Sequence, residues 1–413
     1  MTESVGWIAS DQRHCLTSAK CSGRSESFVQ RAEGALRDGS PFVILDDQVS
    51  DFAIWFEGWQ AELTAWDLAQ VNEVIREAQR AAAAGYEVAG FLSYRAGGAF
   101  DTLGNSMRRL FPERPMPLAW FGIFSSTQLG SVTLDEKACD WSFTMKSTIT
   151  DVDYQARVKS VIDHIKAGSA YQVNLTFPNL VQISDLISYY SHVRQKSRAS
   201  FGAIISTGQH QVLSFSPELF FRLSGKSIVT RPMKGTRARG ACPTTDLGAA
   251  SELANSPKEQ AENLMIVDLL RNDLSRICEP GSIKVPELFH IEKYPTLWQM
   301  TSTVNGELQS GRDVLDVLRS LFPCGSIVGA PKIIASQIIA SLEQFDRGLY
   351  TGSIGWLRRE QAVFNVAIRT LQLTRNGTGY AGRLDVGAGI VADSQPSAEW
   401  NECMTKASFA WPN

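Results

Sequence analysis

The 413-residue sequence predicts an α+β fold. Two observations point to the mixed class. Strand-like runs come in adjacent pairs joined by short turns, as at 201–206 and 210–216 across Gly208, or 220–223 and 227–230. Helical stretches separate blocks of such pairs instead of alternating with single strands, which disfavours a doubly wound parallel sheet. No internal repeat or low-complexity linker divides the chain.

Taken in order, residues 1–40 carry little pattern. A short apolar strand follows at 41–45. Leu68, Val71, Val74, Ile75 and Ala78 recur at helical spacing, so 67–84 is a helix that Gly85 ends. Buried strands are expected at 88–94 and 118–124, and a polar bridge at 129–142. The pattern then sharpens, giving a region 1–145 and a region 146–413. Tyr154, Val158, Val161, Ile162 and Ile165 mark one face of a helix over 151–167, closed by Gly168. A strand at 170–177 and a helix at 184–196 precede the two hairpins. Ser256-Pro257-Lys258-Glu259 has the form of a capping box. The helix it starts runs to about 274 and is apolar nearly all round, so it should be buried. A glycine-rich turn at 322–332 enters a helix over 333–342. Residues 364–371 read as one strand, and the last helix begins near Pro396.

Composition narrows the function. A formal net charge of −3 gives no bulk attraction to nucleic acid or anionic membrane. No apolar run reaches the ~18–20 residues of a membrane span, and residues 1–27 lack a signal-peptide core. The seven cysteines are scattered with no C-x-x-C pair, which suits a reducing cytoplasm. The five histidines are too dispersed for a histidine-based metal site.

Candidate chemistry gathers in a few stretches. In Arg231-Pro232-Met233-Lys234-Gly235-Thr236, proline interrupts a strand and Gly235 permits a left-handed backbone. Lys234 therefore sits in a corner, either solvated or partly buried; burial would leave more of it as free amine. Glu259 and Glu262 share one helix face, and Glu399, Glu402 and Lys406 share another. These are surface pairs, or they meet around one hard divalent ion; oxygen-only ligands would suit Mg²⁺. The turn containing Gly325 and Ser326 offers backbone N–H groups to an anion. Arg369, set among apolar neighbours, needs a carboxylate from protein or ligand. Gly387 and Gly389 allow close backbone approach. A small dicarboxylate held through Mg²⁺ would use all of these.

Residues 170–175, 216–220, 231–237, 259–274, 322–332, 347–355, 364–371 and 387–406 together resemble the chorismate-utilising enzymes, densely over about 150–410 and more weakly before. The resemblance implies an α+β fold of two large antiparallel β-sheets packed face to face with helices outside. It implies Mg²⁺ held by Glu262 and Glu402, with Glu259 and Glu399 further out through water. Tyr350 and Arg369 would grip the enolpyruvyl carboxylate of chorismate. Gly235, Thr236, Gly325, Ser326, Gly387, Gly389 and Lys406 would line the site, and Glu218 would protonate the departing hydroxyl. The Pro-x-Lys-Gly-Thr pattern is similar to the branch that aminates ring carbon 4 through a covalent lysine, here Lys234. Gln172 stands where relatives that add water carry lysine, and Gln299 where the family often has histidine. Ammonia would come from a separate glutamine amidotransferase subunit.

Overall fold

The computed structural model describes residues 6–8, 27–100, 116–130, 132, 141–294 and 297–411. Its strands are Phe42–Asp47 (β1), Phe52–Ala65 (β2), Glu87–Leu92 (β3), Ala119–Gly130 (β4), Phe143–Ser147 (β5), Gln172–Ile183 (β6), Phe201–Ser206 (β7), His210–Ser216 (β8) and Leu219–Ser224 (β9). They continue with Ser227–Arg231 (β10), Met233–Ala238 (β11), Lys284–Lys293 (β12), Leu297–Glu307 (β13), Gly329–Ala330 (β14), Ser353–Arg358 (β15), Gln361–Asn365 (β16), Thr370–Asn376 (β17) and Gly379–Ile390 (β18). The helices are Phe28–Asp38 (α1), Leu68–Ala83 (α2), Asp151–Lys166 (α3), Leu186–Ser197 (α4), Pro243–Ala254 (α5), Pro257–Ser275 (α6), Val314–Leu321 (α7), Lys332–Leu342 (α8) and Pro396–Ala407 (α9).

The named strand pairings are all antiparallel, and they join the 18 strands into one hydrogen-bonded network. The network has two halves. One runs β5-β6-β18-β17-β8-β7-β1. The other runs β4-β3-β15-β16-β9-β10-β13, with β11 and β12 beyond. The long strand β2 pairs with both β1 and β4 and joins the halves. Gly58 lies at φ +67° beside a register shift between Trp59 and Ala61, and such a bulge bends a strand. The α+β class is as expected, with the two sheets continuous through β2.

The halves pack face to face. Val43, Leu45, Phe201 and Val212 from one meet Phe91, Trp120, Ile354 and Val363 from the other. Each fully buried aromatic here contributes roughly 2–3 kcal/mol of transfer free energy. Helices α1 and α4 cover the outer face of the first half through Phe28, Ala32, Leu186 and Tyr189. A further cluster joins α2, α3, α6, α7 and α8 to the sheet through Val71, Tyr154, Ile266, Leu318 and Ile338.

Several expectations need correction. Residues 28–38, inside the stretch expected to lack pattern, form α1, started by a capping box between Ser27 and Gln30. The other expectations for 1–40, and most of the 129–142 bridge, fall outside the described residues. The strand expected at 118–124 continues to Gly130, and the one at 170–177 extends to Ile183. Helix α6 is buried on one face only: Ile266, Val267, Leu270 and Leu274 are inside, whereas Leu264 is exposed. Ser256 accepts from the Glu259 N–H, yet Glu259 does not reach back to close the box, so its carboxylate is left for other contacts. Residues 364–371 are not one strand. β16 pairs within one half of the sheet and β17 within the other, so 366–369 is the crossing between them.

Candidate active site

Lys234 sits at a β-bulge. Met233 pairs with Thr301 and Thr236 with Gln299, so Lys234 and Gly235 together oppose the single residue Met300. Gly235 is at φ +85°. Its missing side chain also matters, since a methyl group there would lie 2.9 Å from Glu259 Oε2. The Gln299 side chain donates from Nε2 to the Gly235 carbonyl at 2.7 Å and accepts from Thr236 Oγ1 at 3.0 Å. The Lys234 amine makes no hydrogen bond or ion pair among the described residues. Burial lowers its pKa, Glu262 opposes that shift, and Lys406 adds to it. The corner expected from Pro232 and Gly235 is therefore present, and the amine within it is desolvated.

Beside Lys234 lie β18 and β6. A methyl group on Gly389 would come within 2.9 Å of Gln172 Nε2 and 3.4 Å of Lys234 Nζ, so the bare glycine keeps this space open. Gln172 is wholly buried, and both ends of its amide lack partners. It belongs to a buried polar row on β6 with Asn174 and Thr176. That alternation inside an otherwise apolar strand is the signal that marks Gln172 as a site residue. Gly387 plays a packing part: Thr176 and Leu175 of β6 fill the space its side chain would need.

Glu218 is buried between β8 and β9. Ser326 Oγ donates to its Oε1 at 2.9 Å, and Cys324 Sγ lies 3.2 Å from the same hydroxyl. Burial raises its pKa to about 7, against the Ser326 hydrogen bond and the positive charge of Lys234. A carboxyl titrating there both gives and takes protons near neutrality. Ser326 thus contacts the carboxyl. Gly325 makes room for Leu269 of α6. The glycine-rich turn does not lead straight into α8, because β14 intervenes and pairs with β6.

The acidic residues of α6 and α9 influence one another across the site. Burial raises the pKa of Glu262, and the charges of Glu259 and Glu402 raise it further. Burial likewise raises Glu399, opposed by a hydrogen bond from Ser394. For Glu402, burial pushes upward but Lys406, at 2.7 Å, outweighs it and the net shift is down. Lys406 also donates to the Gly387 carbonyl at 3.0 Å, tying α9 to β18. Lys258, read from the sequence only as part of the helix start, lies 3.9 Å from Asp393 and adds positive charge beside Glu262, Glu399 and Glu402. Glu262 has no ion pair or hydrogen bond from its side chain among the described residues. Those residues contain no cluster of three His, Cys, Asp or Glu set to hold a metal by themselves. Mg²⁺ is commonly held by one or two carboxylates plus waters and substrate; Glu262 and the half-exposed Glu402, whose charges act on one another, are the two that would hold such an ion.

Arg369 occupies the crossing 366–369 at φ +50°. Burial depresses its pKa, and no protein carboxylate pairs with it among the described residues. Of the two sources expected for its partner, protein or ligand, the described residues supply none. Tyr350, in the turn before β15, is buried, which pushes its hydroxyl pKa up.

The sequence model of a family described as chorismate binding enzyme matches residues 40–412. Aminodeoxychorismate synthase component 1 of Bacillus subtilis (strain 168) is 38% identical over 283 residues, 68% of this chain and 59% of that protein. Anthranilate synthase component 1 of Streptomyces coelicolor (strain ATCC BAA-471 / A3(2) / M145) is 37% identical over 308 residues, 73% of this chain and 57% of that protein. The chain thus spans less than two thirds of the length of these relatives. Anthranilate synthase component I from Streptococcus pneumoniae TIGR4 has a similar structure, with a TM-score of 0.74 at 21% identity covering 100% of both chains. A 2,3-dihydroxybenzoate-specific isochorismate synthase from Bacillus anthracis gives 0.70 at 23% identity, over 92% of this chain and 98% of that one.

Proposed function

Because the chain belongs to the family of chorismate binding enzymes, we propose that it aminates chorismate at ring carbon 4, giving 4-amino-4-deoxychorismate with the enolpyruvyl ether retained. The observation that carries this reading is Lys234: a desolvated amine without a partner, aimed by a bulge into the space beside Gly389 and Gln172. Free amine is the form that attacks.

The Lys234 nitrogen bonds to ring carbon 2, the ring double bonds shift, and the carbon–oxygen bond at carbon 4 breaks. Glu218 gives its proton to the departing hydroxyl, which leaves as water. Ammonia then bonds to carbon 4, the double bonds shift back, the lysine amine departs from carbon 2 with its electron pair, and the new ammonium at carbon 4 returns a proton to Glu218. Splitting one displacement into two lowers each barrier. Arg369 and Tyr350 hold the enolpyruvyl carboxylate; the lack of a carboxylate partner for Arg369 among the described residues supports this. Glu262 and Glu402 would hold Mg²⁺, with Glu259 and Glu399 behind them, and the ion would neutralise the ring carboxylate. Thr236, Gly389 and Lys406 line the site, Gly387 packs behind it and accepts from Lys406, and Gly325 with Ser326 supports it from the Glu218 side. Ammonia comes from a separate glutamine amidotransferase subunit; the word component in the relatives' names fits a two-subunit enzyme. This work belongs in the cytoplasm, and no described helix is long and apolar enough to cross a membrane.

The second reading is amination at carbon 2 with loss of pyruvate. It is favoured by the anthranilate synthase relative at similar identity. The test is to incubate the chain with chorismate, Mg²⁺ and ammonium and identify the product. 4-Amino-4-deoxychorismate supports the first reading. Anthranilate with pyruvate supports the second and overturns the first.

A further inference from the structure

We propose that Gln299 is a positioning residue that locks the β11 bulge and so aims Lys234, an inference that rests on Lys234 being the nucleophile. In a regular antiparallel pair only alternate residues exchange N–H···O bonds with the facing strand. At the bulge two residues face Met300 alone, so the ladder cannot serve both. The Gly235 carbonyl instead receives the Gln299 side-chain N–H at 2.7 Å. A carbonyl only accepts, which fixes Nε2 toward Gly235 and leaves Oε1 to receive the Thr236 hydroxyl at 3.0 Å. One amide therefore grips both residues that follow Lys234, from the neighbouring strand.

The grip is specific to an amide or a similar donor. Glutamate at 299 has the same reach but cannot donate to Gly235, and its charge repels that carbonyl. Histidine carries a ring N–H at a comparable distance from the backbone and can restore the donation. Gln299 also sits where β12 pairs, opposite Glu292, so its own backbone is held on both sides. It is a fixed post against which the more weakly paired bulge is braced.

The experiment compares the full chain with its Gln299→Glu and Gln299→His variants. Hydrogen exchange of the peptide covering 233–238 is read alongside steady-state kinetics with chorismate and ammonium. Gln299→Glu should speed exchange in that peptide about tenfold. It should lower kcat on the order of tenfold to a hundredfold, with KM for chorismate and the thermal midpoint nearly unchanged. Gln299→His should recover most of both losses. Unchanged exchange in Gln299→Glu overturns the lock. Faster exchange with unchanged kcat overturns the link to Lys234. A drop in thermal midpoint without a specific kcat loss assigns Gln299 to general stability and also overturns the proposal. If the unaltered chain makes no aminated product, the functional reading fails, while the exchange comparison still decides whether Gln299 holds the bulge.

Discussion

Arg347, deep in the protein, and Arg369, half-buried, are provided for in opposite ways. Arg347 is almost completely buried. It donates to both oxygens of Glu343 at 2.8 and 2.7 Å, to the Asn174 carbonyl at 2.8 Å, and to Ile327 O and Thr351 Oγ1 at 3.2 Å. Its guanidinium lies 4.5 Å from the centre of the Tyr94 ring. Arg95 pairs with Asp346 at 2.9 Å, and Arg383 with Asp385. By contrast, Arg369, Lys234 and Glu262 have no ion pairs among the described residues. A charge inside a protein is normally compensated. The first group is compensated by the fold; the second is half-buried and, on the proposed function, open to a ligand. The difference separates charges that hold the structure from charges that wait for a ligand.

Breaking the uncompensated group should cost activity and little stability. Lys234→Ala should reduce formation of 4-amino-4-deoxychorismate by on the order of 10³-fold or more, with a thermal midpoint no lower than the unaltered chain's. Quenched mixtures lacking ammonia should show chorismate-derived mass on the Lys234 peptide, and none in the variant. Excess chelator should remove about 99% of the rate or more, with recovery on adding Mg²⁺; a rate unaffected by chelator contradicts the assignment of Glu262 and Glu402.

Breaking the compensated group should do the reverse. Arg347→Ala strands Glu343 and should destabilise the fold by about 3–5 kcal/mol, read by denaturant unfolding. Glu218 sharpens the comparison because it is buried and answers to pH. Its folded pKa of about 7 lies above the ordinary 4.5, so the folded chain holds this proton more tightly than the unfolded chain. That stabilisation is full below about pH 4.5 and is lost as pH rises through about 7. Glu218→Gln should therefore match the unaltered chain near pH 5 and exceed it by up to about 3 kcal/mol at pH 8. The smallest effect should come from Arg369→Met. It should raise KM for chorismate roughly tenfold while leaving the thermal midpoint unchanged or slightly higher.

What could be read from the sequence was local. Pro232 and Gly235 announced a corner at Lys234, and the three-residue spacing of the glutamates put each pair on one helix face. The limits of α3, α6 and α9 came close because caps and prolines act within a turn. Helix α1 also had such a signal, the Ser27 and Gln30 capping box, beneath an otherwise weak pattern. The crossing at 366–369 had none. Its alternation continues smoothly from β16 into β17, and only the change of strand partners, which is a long-range property, ends one and begins the other. The state of Arg369 followed from the same fact. No spacing along the chain could reveal that a carboxylate would be missing from its surroundings.

The pairing of β6 with β18 has a consequence for how the chain comes to be assembled. The two strands match from Ile183↔Tyr380 to Val173↔Ile390, joining segments that are distant in sequence. Closing so large a loop is slow relative to local pairing. Until β18 arrives, most of one flank of β6 is an unsatisfied strand edge carrying Val173, Leu175 and Phe177, the kind of template on which chains aggregate. A nascent chain stopped before Gly379 holds that edge open. The strand that closes it brings Gly389 beside Lys234, so protection from misassembly and completion of the pocket are the same event.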